Sequence, residues 1–160
     1  MSIIGIITQS DNIIEIEDNL KKYNINSESI IVINENNAKN IEHVKFDVIV
    51  IYEQISASDV IVKIINNTKY LIINADFKEN MKLLDTSNRA YVITYGFNSK
   101  STIAIISNEN DEIILEIQRE IEDINRKKIE AQELKIERKF GKKHIYEEIS
   151  MKILTILTKI

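Results

Sequence analysis

Over the first hundred residues, short uninterrupted apolar runs alternate with polar stretches whose apolar residues recur at helical spacing. The runs are Ile3 to Ile7, Ser29 to Ile33, Val48 to Ile51, Tyr70 to Ile73 and Tyr91 to Ile93. They are rich in β-branched and aromatic residues and do not alternate with polar ones, the pattern of strands covered on both faces. Between the first two runs, Ile13, Ile16, Leu20 and Tyr23 form one apolar stripe, with Ser10 or Asp11 placed to cap a helix and Asn24 and Asn26 to end it. Asn34 to Asn40 reads as a turn with one helical turn. Ser56 to Asn66 reads as a helix with Val60, Ile61, Ile64 and Ile65 inward, and a short helix is expected around Met81 to Leu84. Strands and helices in alternation, joined by short connections, predict a mostly parallel sheet with helices on both faces.

The pattern changes after Gly96. Thr102 to Ser107 is apolar, whereas Ile113 to Ile121 and Ala131 to Arg138 alternate apolar and polar residues, as antiparallel strands with one wet face do. Asn108 to Asp111 and Asp123 to Lys128 are the natural turns. Ile145, Ile149, Ile153, Ile156 and Ile160, widened by Leu154 and Leu157, give a closing helix from about Lys143 to Thr158. The fold class expected is therefore α/β: a three-layer sandwich with a mostly parallel sheet, an antiparallel extension after residue 100 and a C-terminal helix. Residues 1–160 form a single domain, with strand and helix alternating over 1–100 and antiparallel strands plus the last helix over 101–160.

Composition narrows the chemistry. The absence of cysteine removes disulfides, thiolate metal sites and thiol catalysis. With no proline and three glycines, Gly5, Gly96 and Gly141, the chain has neither a Pro-rich nor a Gly-rich linker. A net charge of −4 argues against nucleic acid as a partner. The acidity lies in residues 1–66, where five Lys face ten Asp or Glu. No apolar run approaches the roughly 20 residues of a membrane span, and Met1 to Asp11 carries no basic leader region, so the expected location is cytoplasmic and no membrane is expected. His43 and His144 are the only histidines and lie far apart, so no metal site is expected. The basic run Lys135, Arg138, Lys139, Lys142 and Lys143 is interleaved with Glu133 and Glu137 and reads as a solvated ribbon edge.

Three motifs carry a resemblance. They are Asn74-Ala75-Asp76 at the end of the fourth strand, Thr94-Tyr95-Gly96 followed by Phe97-Asn98 at the end of the fifth, and Gly141-Lys142-Lys143-His144 opening the last helix. In this order and spacing they resemble the closing half of the central, ATP-binding domain of the Mur ligases, which add amino acids to the peptidoglycan precursor. The match covers about residues 46–160. It implies a remnant cofactor pocket around Asn74, Asp76, Asn98 and His144, between the loop after Asp76 and the turn at Gly141 to His144. Lys142, Lys143 and the helix N-terminus would favour an anion there, Glu147 and Glu148 in the first helical turn would oppose it, and weak anion binding is expected.

The departures from the family decide the function expected. Phe77 stands where the family has a second acid, and Ile145 and Glu148 stand where two asparagines would read adenine. Isoleucine has no hydrogen-bonding group and an ionised glutamate can only accept. No G-x-x-x-x-G-K-[ST] stretch is present, so no loop cradles the β- and γ-phosphates. The resemblance then implies a non-catalytic Mur-ligase-like domain, a binding or regulatory module related to the bacterial UDP-N-acetylmuramoyl-peptide ligases, with no catalytic residue and no cofactor of its own. One alternative is a partial ligase subunit, in which a protein partner supplies the phosphate loop and ATP with Mg²⁺ binds the composite site. Another is a receiver-like signalling domain, with Glu53 where receivers carry their phosphoacceptor and Lys100 beyond the fifth strand. A third is an enzyme of unrelated chemistry using Glu53 and Asp76. Tyr91, Tyr95 and Phe97 either floor a pocket or pack in the core.

Overall fold

The computed structural model describes residues 2–25, 29–84, 89–139 and 144–159. The apolar runs form the strands β1 (Ile4–Ile7), β2 (Ile30–Ile33), β3 (Val48–Ile51), β4 (Tyr70–Asn74) and β5 (Tyr91–Gly96). Between them lie the helices α1 (Ile13–Leu20), α2 (Asp59–Asn66) and α3 (Lys78–Met81). The second half adds β6 (Ile103–Glu109), β7 (Glu112–Ile117), the short pair β8 (Ile121–Glu122) and β9 (Lys128–Ile129), then β10 (Gln132–Glu137) and α4 (Ile145–Thr158). No described helix is long and apolar enough to cross a membrane.

Eight strands make one sheet in the order β10-β7-β6-β5-β4-β3-β1-β2, with β8 and β9 forming a separate ribbon. The expected class is correct: pairing is parallel from β2 through β6 and antiparallel from β6 through β7 to β10. The parallel part reaches one strand further than the pattern suggested. β6 pairs with β5 only at Tyr95↔Ile103 and Gly96↔Ala104. The last residues of β5 are thus level with the first of β6, and the rest of β6 runs past the carboxyl edge of the parallel sheet. The antiparallel extension stands above the strand ends.

Helices α1 and α4 cover one face, closing a core that includes Ile4, Ile6, Val48, Val50, Ile72, Ile93, Ile149, Ile153 and Leu157. Helix α2 covers the other, over Ile7, Ile49, Ile51, Leu71 and Ile73. Burial of Ile61, Ile64 and Ile65 contributes roughly 2 kcal/mol per side chain to seating α2. The α2 cap is Ser58, whose hydroxyl accepts from the Ile61 amide. The α1 cap is Asn12 rather than Ser10 or Asp11, because its Oδ1 is the acceptor that meets the Glu15 amide at 3.1 Å. Ser10 instead accepts from the Asn12 amide and shapes the approach. Arg138 departs from the solvated edge expected of it: its side chain is largely buried, donates to Asn108 Oδ1 and lies 3.8 Å from Asp111, closing the open end of the ribbon.

Candidate functional site

In a sheet whose order reverses between β1 and β3, the ligand crevice is expected at the carboxyl ends of those strands. There the polar groups satisfy one another. The amide of Gln9 donates to Glu53 Oε1 at 2.8 Å, that of Ser10 to Thr8 Oγ1 at 3.0 Å and that of Asn12 to Ser10 Oγ at 3.1 Å. Asn34 Nδ2 closes the loop from the side by donating to the Ser10 carbonyl. A phosphate-binding loop keeps such amides turned to the ligand. Here they are occupied by side chains, and Glu53 serves as a loop clamp.

The four residues expected at the site sit on the same edge and play different parts. Asn74 is fully buried: its Nδ2 donates to the Tyr52 carbonyl and its Oδ1 accepts from the Asp76 amide. Asp76 is the node. Its Oδ2 accepts from the Phe97 amide at 2.9 Å and the Tyr146 hydroxyl at 2.8 Å, and its Oδ1 accepts from the Asn98 amide at 3.2 Å. This is a strut across two loops and α4; Asp76 does not cap α3, which has no side-chain cap hydrogen bond. Asn98 is exposed, held through its own amide by Asp76, and its Oδ1 accepts from the Lys100 amide. His144 is the residue before α4, half-exposed, with Nδ1 3.9 Å from Glu147 Oε1. Gly141, Lys142 and Lys143 lie outside the described residues.

Gly96 makes the Asp76 contact possible. Its φ of +152° is one that side-chain-bearing residues rarely adopt, and a Cβ there would collide with the Asp76 carboxylate. The loop after Gly96 is gripped from its far side as well, since Gln118 Nε2 donates to the carbonyls of Ser99 and Ser101. The Thr102 amide donates to Thr94 Oγ1. A loop tied at both flanks is a rigid platform.

On this platform stands a ring cluster. Tyr146 is its centre, at 5.6 Å from Phe77, 6.4 Å from Phe97 and 6.5 Å from Tyr95, all edge-on. Of the three aromatics read as pocket floor or core, Tyr95 is core, its hydroxyl donating to the Tyr146 carbonyl. Phe97 is 50% exposed and Tyr91 lies at the opposite end of its strand. Burial, then the Asp76 hydrogen bond, pushes the Tyr146 hydroxyl up to about 12.

Sequence reading missed two participants, Asn80 and Tyr146, and placed Glu147 in the first turn of the last helix without its partners. Asn80 is fully buried; its Oδ1 accepts from the Ile55 amide, and its Nδ2 donates to the carbonyls of Glu53 and Asn74. Glu147, in the first turn of α4, accepts from the Tyr23 hydroxyl at 2.6 Å and pairs with Lys22 at 3.0 Å. Burial and that hydrogen bond drive the Tyr23 hydroxyl far above its ordinary range. Both acids at the start of α4 are buried, and Glu148 accepts from the Lys139 amide. They favour the helix N-terminus electrostatically and put negative charge where an anion was expected. No group of three or more His, Asp or Glu among the described residues is placed to hold a metal ion.

No protein-family model matches the chain, and no curated protein matches it. The fold and this edge define an α/β domain with a rigid, ring-bearing surface at its strand ends.

Proposed function

We propose that this chain is a non-catalytic binding or regulatory domain built on the scaffold of the Mur ligase central domain, related to the ligases of the UDP-N-acetylmuramoyl-peptide precursor. The observation that carries the reading is the engagement of Asp76. Three of the four lone-pair sites of the Asp76 carboxylate are filled by Phe97, Asn98 and Tyr146, which ties this acid to the fold rather than to a substrate or metal. The internally satisfied amides of the loop after β1 support the same conclusion. Available at this edge is the exposed Phe97 ring, edge-on to Tyr146, which in turn meets Phe77. The described part of this surface suits a planar or apolar group held by ring contact.

Isothermal titration with Mg-ATP tests the reading. The expected result is affinity no better than millimolar, about −4 kcal/mol. Sub-millimolar, Mg²⁺-dependent binding that is lost in Asp76→Ala would overturn it and favour a working nucleotide site.

A further inference from the structure

Away from the strand-end surface, the β8–β9 turn and the last turn of α4 enclose a second environment. Asp123 begins that turn and is completely buried. Its Oδ1 accepts from the amides of Asn125 at 2.8 Å and Lys127 at 2.9 Å, so that oxygen is spent on the turn. The turn is fastened to α4 by the Ile124 amide donating to the Leu157 carbonyl, and to the sheet by the Tyr70 hydroxyl donating to the Asp123 carbonyl. Oδ2 is left over. It has no hydrogen bond among the described residues and meets only the Lys159 ammonium, at 3.5 Å.

Beside this carboxylate lies a cavity of about 250 Å³, walled by Ile117, Ile129, Leu134 and Ile156, with Lys127, Gln132 and Lys159 also lining it. A buried carboxylate is costly unless its lone pairs are filled. Lys159 fills this one poorly. Its ammonium is beyond the 2.7–2.9 Å of a charge-assisted hydrogen bond, and its side chain is 53% exposed. Each gap narrows the ligand class. A guanidinium asks for two parallel acceptors, and one oxygen is spare. A Ca²⁺ or Mg²⁺ ion asks for about six oxygens. A quaternary ammonium has no N–H to donate and is held by aromatic rings, whereas none of the described residues lining this cavity is aromatic. A primary ammonium on an alkyl chain fits all three restrictions, and the C-terminal end of α4 adds a partial negative charge to the same corner.

We propose that this cavity binds a primary alkylammonium ion, its head on Asp123 Oδ2 in place of Lys159 and its chain along Ile117, Ile129, Leu134 and Ile156. A free aliphatic amine and the side chain of a partner's lysine share this chemistry. Lys159 then acts as an internal stand-in that the ligand displaces.

The test is a methyl and amide NMR titration of the full chain with n-butylammonium chloride, against n-butanol and matched NaCl. Saturable shifts are expected at the Ile117, Ile129 and Ile156 methyls and the Asp123 amide, with n-butanol about tenfold weaker or worse for want of the charge. Lys159→Ala removes the competitor and leaves the turn intact, so it is expected to tighten butylammonium binding several-fold. Unchanged or weaker binding by Lys159→Ala, equal binding of n-butanol, or shifts that do not saturate at these positions would overturn the proposal. Nα-acetyl-lysine methylamide binding as tightly as n-butylammonium assigns the site to a lysine side chain, and its exclusion assigns it to a free amine.

Discussion

The Tyr146 hydroxyl donates to Asp76 Oδ2 at 2.8 Å across 70 residues of sequence. It joins the first turn of α4 to the end of β4, and through the other Asp76 bonds it fixes the loop after β5. The phenol ring keeps its contacts with Phe77 and Phe97 whether or not the hydroxyl is present. Tyr146→Phe therefore isolates the hydrogen bond. Its loss is expected to cost about 1 kcal/mol, toward the low end for a charged acceptor because the pair is partly exposed. Urea unfolding reads this as a lower midpoint at unchanged slope, and an unchanged midpoint would refute the role.

Gly96→Ala meets two obstacles, the positive φ and the Asp76 carboxylate. The expected loss is about 2–3 kcal/mol. In an Asp76→Ala background the second obstacle is gone and the same substitution should cost at least about 0.5 kcal/mol less. Strict additivity in the double-mutant cycle would show that the close approach is not what demands glycine.

Asn80 fills three backbone groups at the centre of the strand-end edge. Asn80→Ala leaves the Ile55 amide and two carbonyls without partners, at an expected cost of about 2–4 kcal/mol. Asn80→Asp keeps the acceptor for Ile55 but turns an anionic oxygen toward the carbonyls of Glu53 and Asn74. The aspartate variant should be the less stable of the two at neutral pH, and thermal unfolding of both orders them.

Alkaline stability follows from the tyrosines. Burial raises Tyr146 to about 12 from an ordinary 10.0, and Tyr23, Tyr52 and Tyr95 are raised for the same first cause. Below the unfolded value both states hold the proton and this contribution is fully present. As pH rises through 10 toward 12 the unfolded chain releases protons that the native state retains, so stability falls. Unfolding free energy measured across this window should drop steeply, and less steeply in Tyr146→Phe. Parallel curves for the two proteins would contradict the assignment.

The local elements of this chain are legible in its sequence. Ile4 to Ile7 and Val48 to Ile51 are buried at every position, and their unbroken apolar runs announce strands between two helical layers. Ile61, Ile64 and Ile65 face inward because helical spacing is a one-dimensional property of residues a few positions apart. Alternation in Glu112–Ile117 and Gln132–Glu137 likewise marks a ribbon with one covered face, although which strand it joins is not written there.

The site is different in kind. Asn74, Asp76, Asn98 and His144 can be placed at strand and helix ends from the sequence, but their engagement is decided by partners far along the chain: Tyr52 for Asn74, Phe97 and Tyr146 for Asp76, and Glu147 in its bonds with Lys22 and Tyr23 beside His144. Asn80 sits in a polar stretch that gives no sign of burial, and Arg138 in a charged one that suggests solvent. Apolar burial is set by pattern, because any well-spaced apolar side chain gains by leaving water. A polar side chain gains only where particular donors and acceptors meet it, and those come from chain segments that tertiary structure alone brings together.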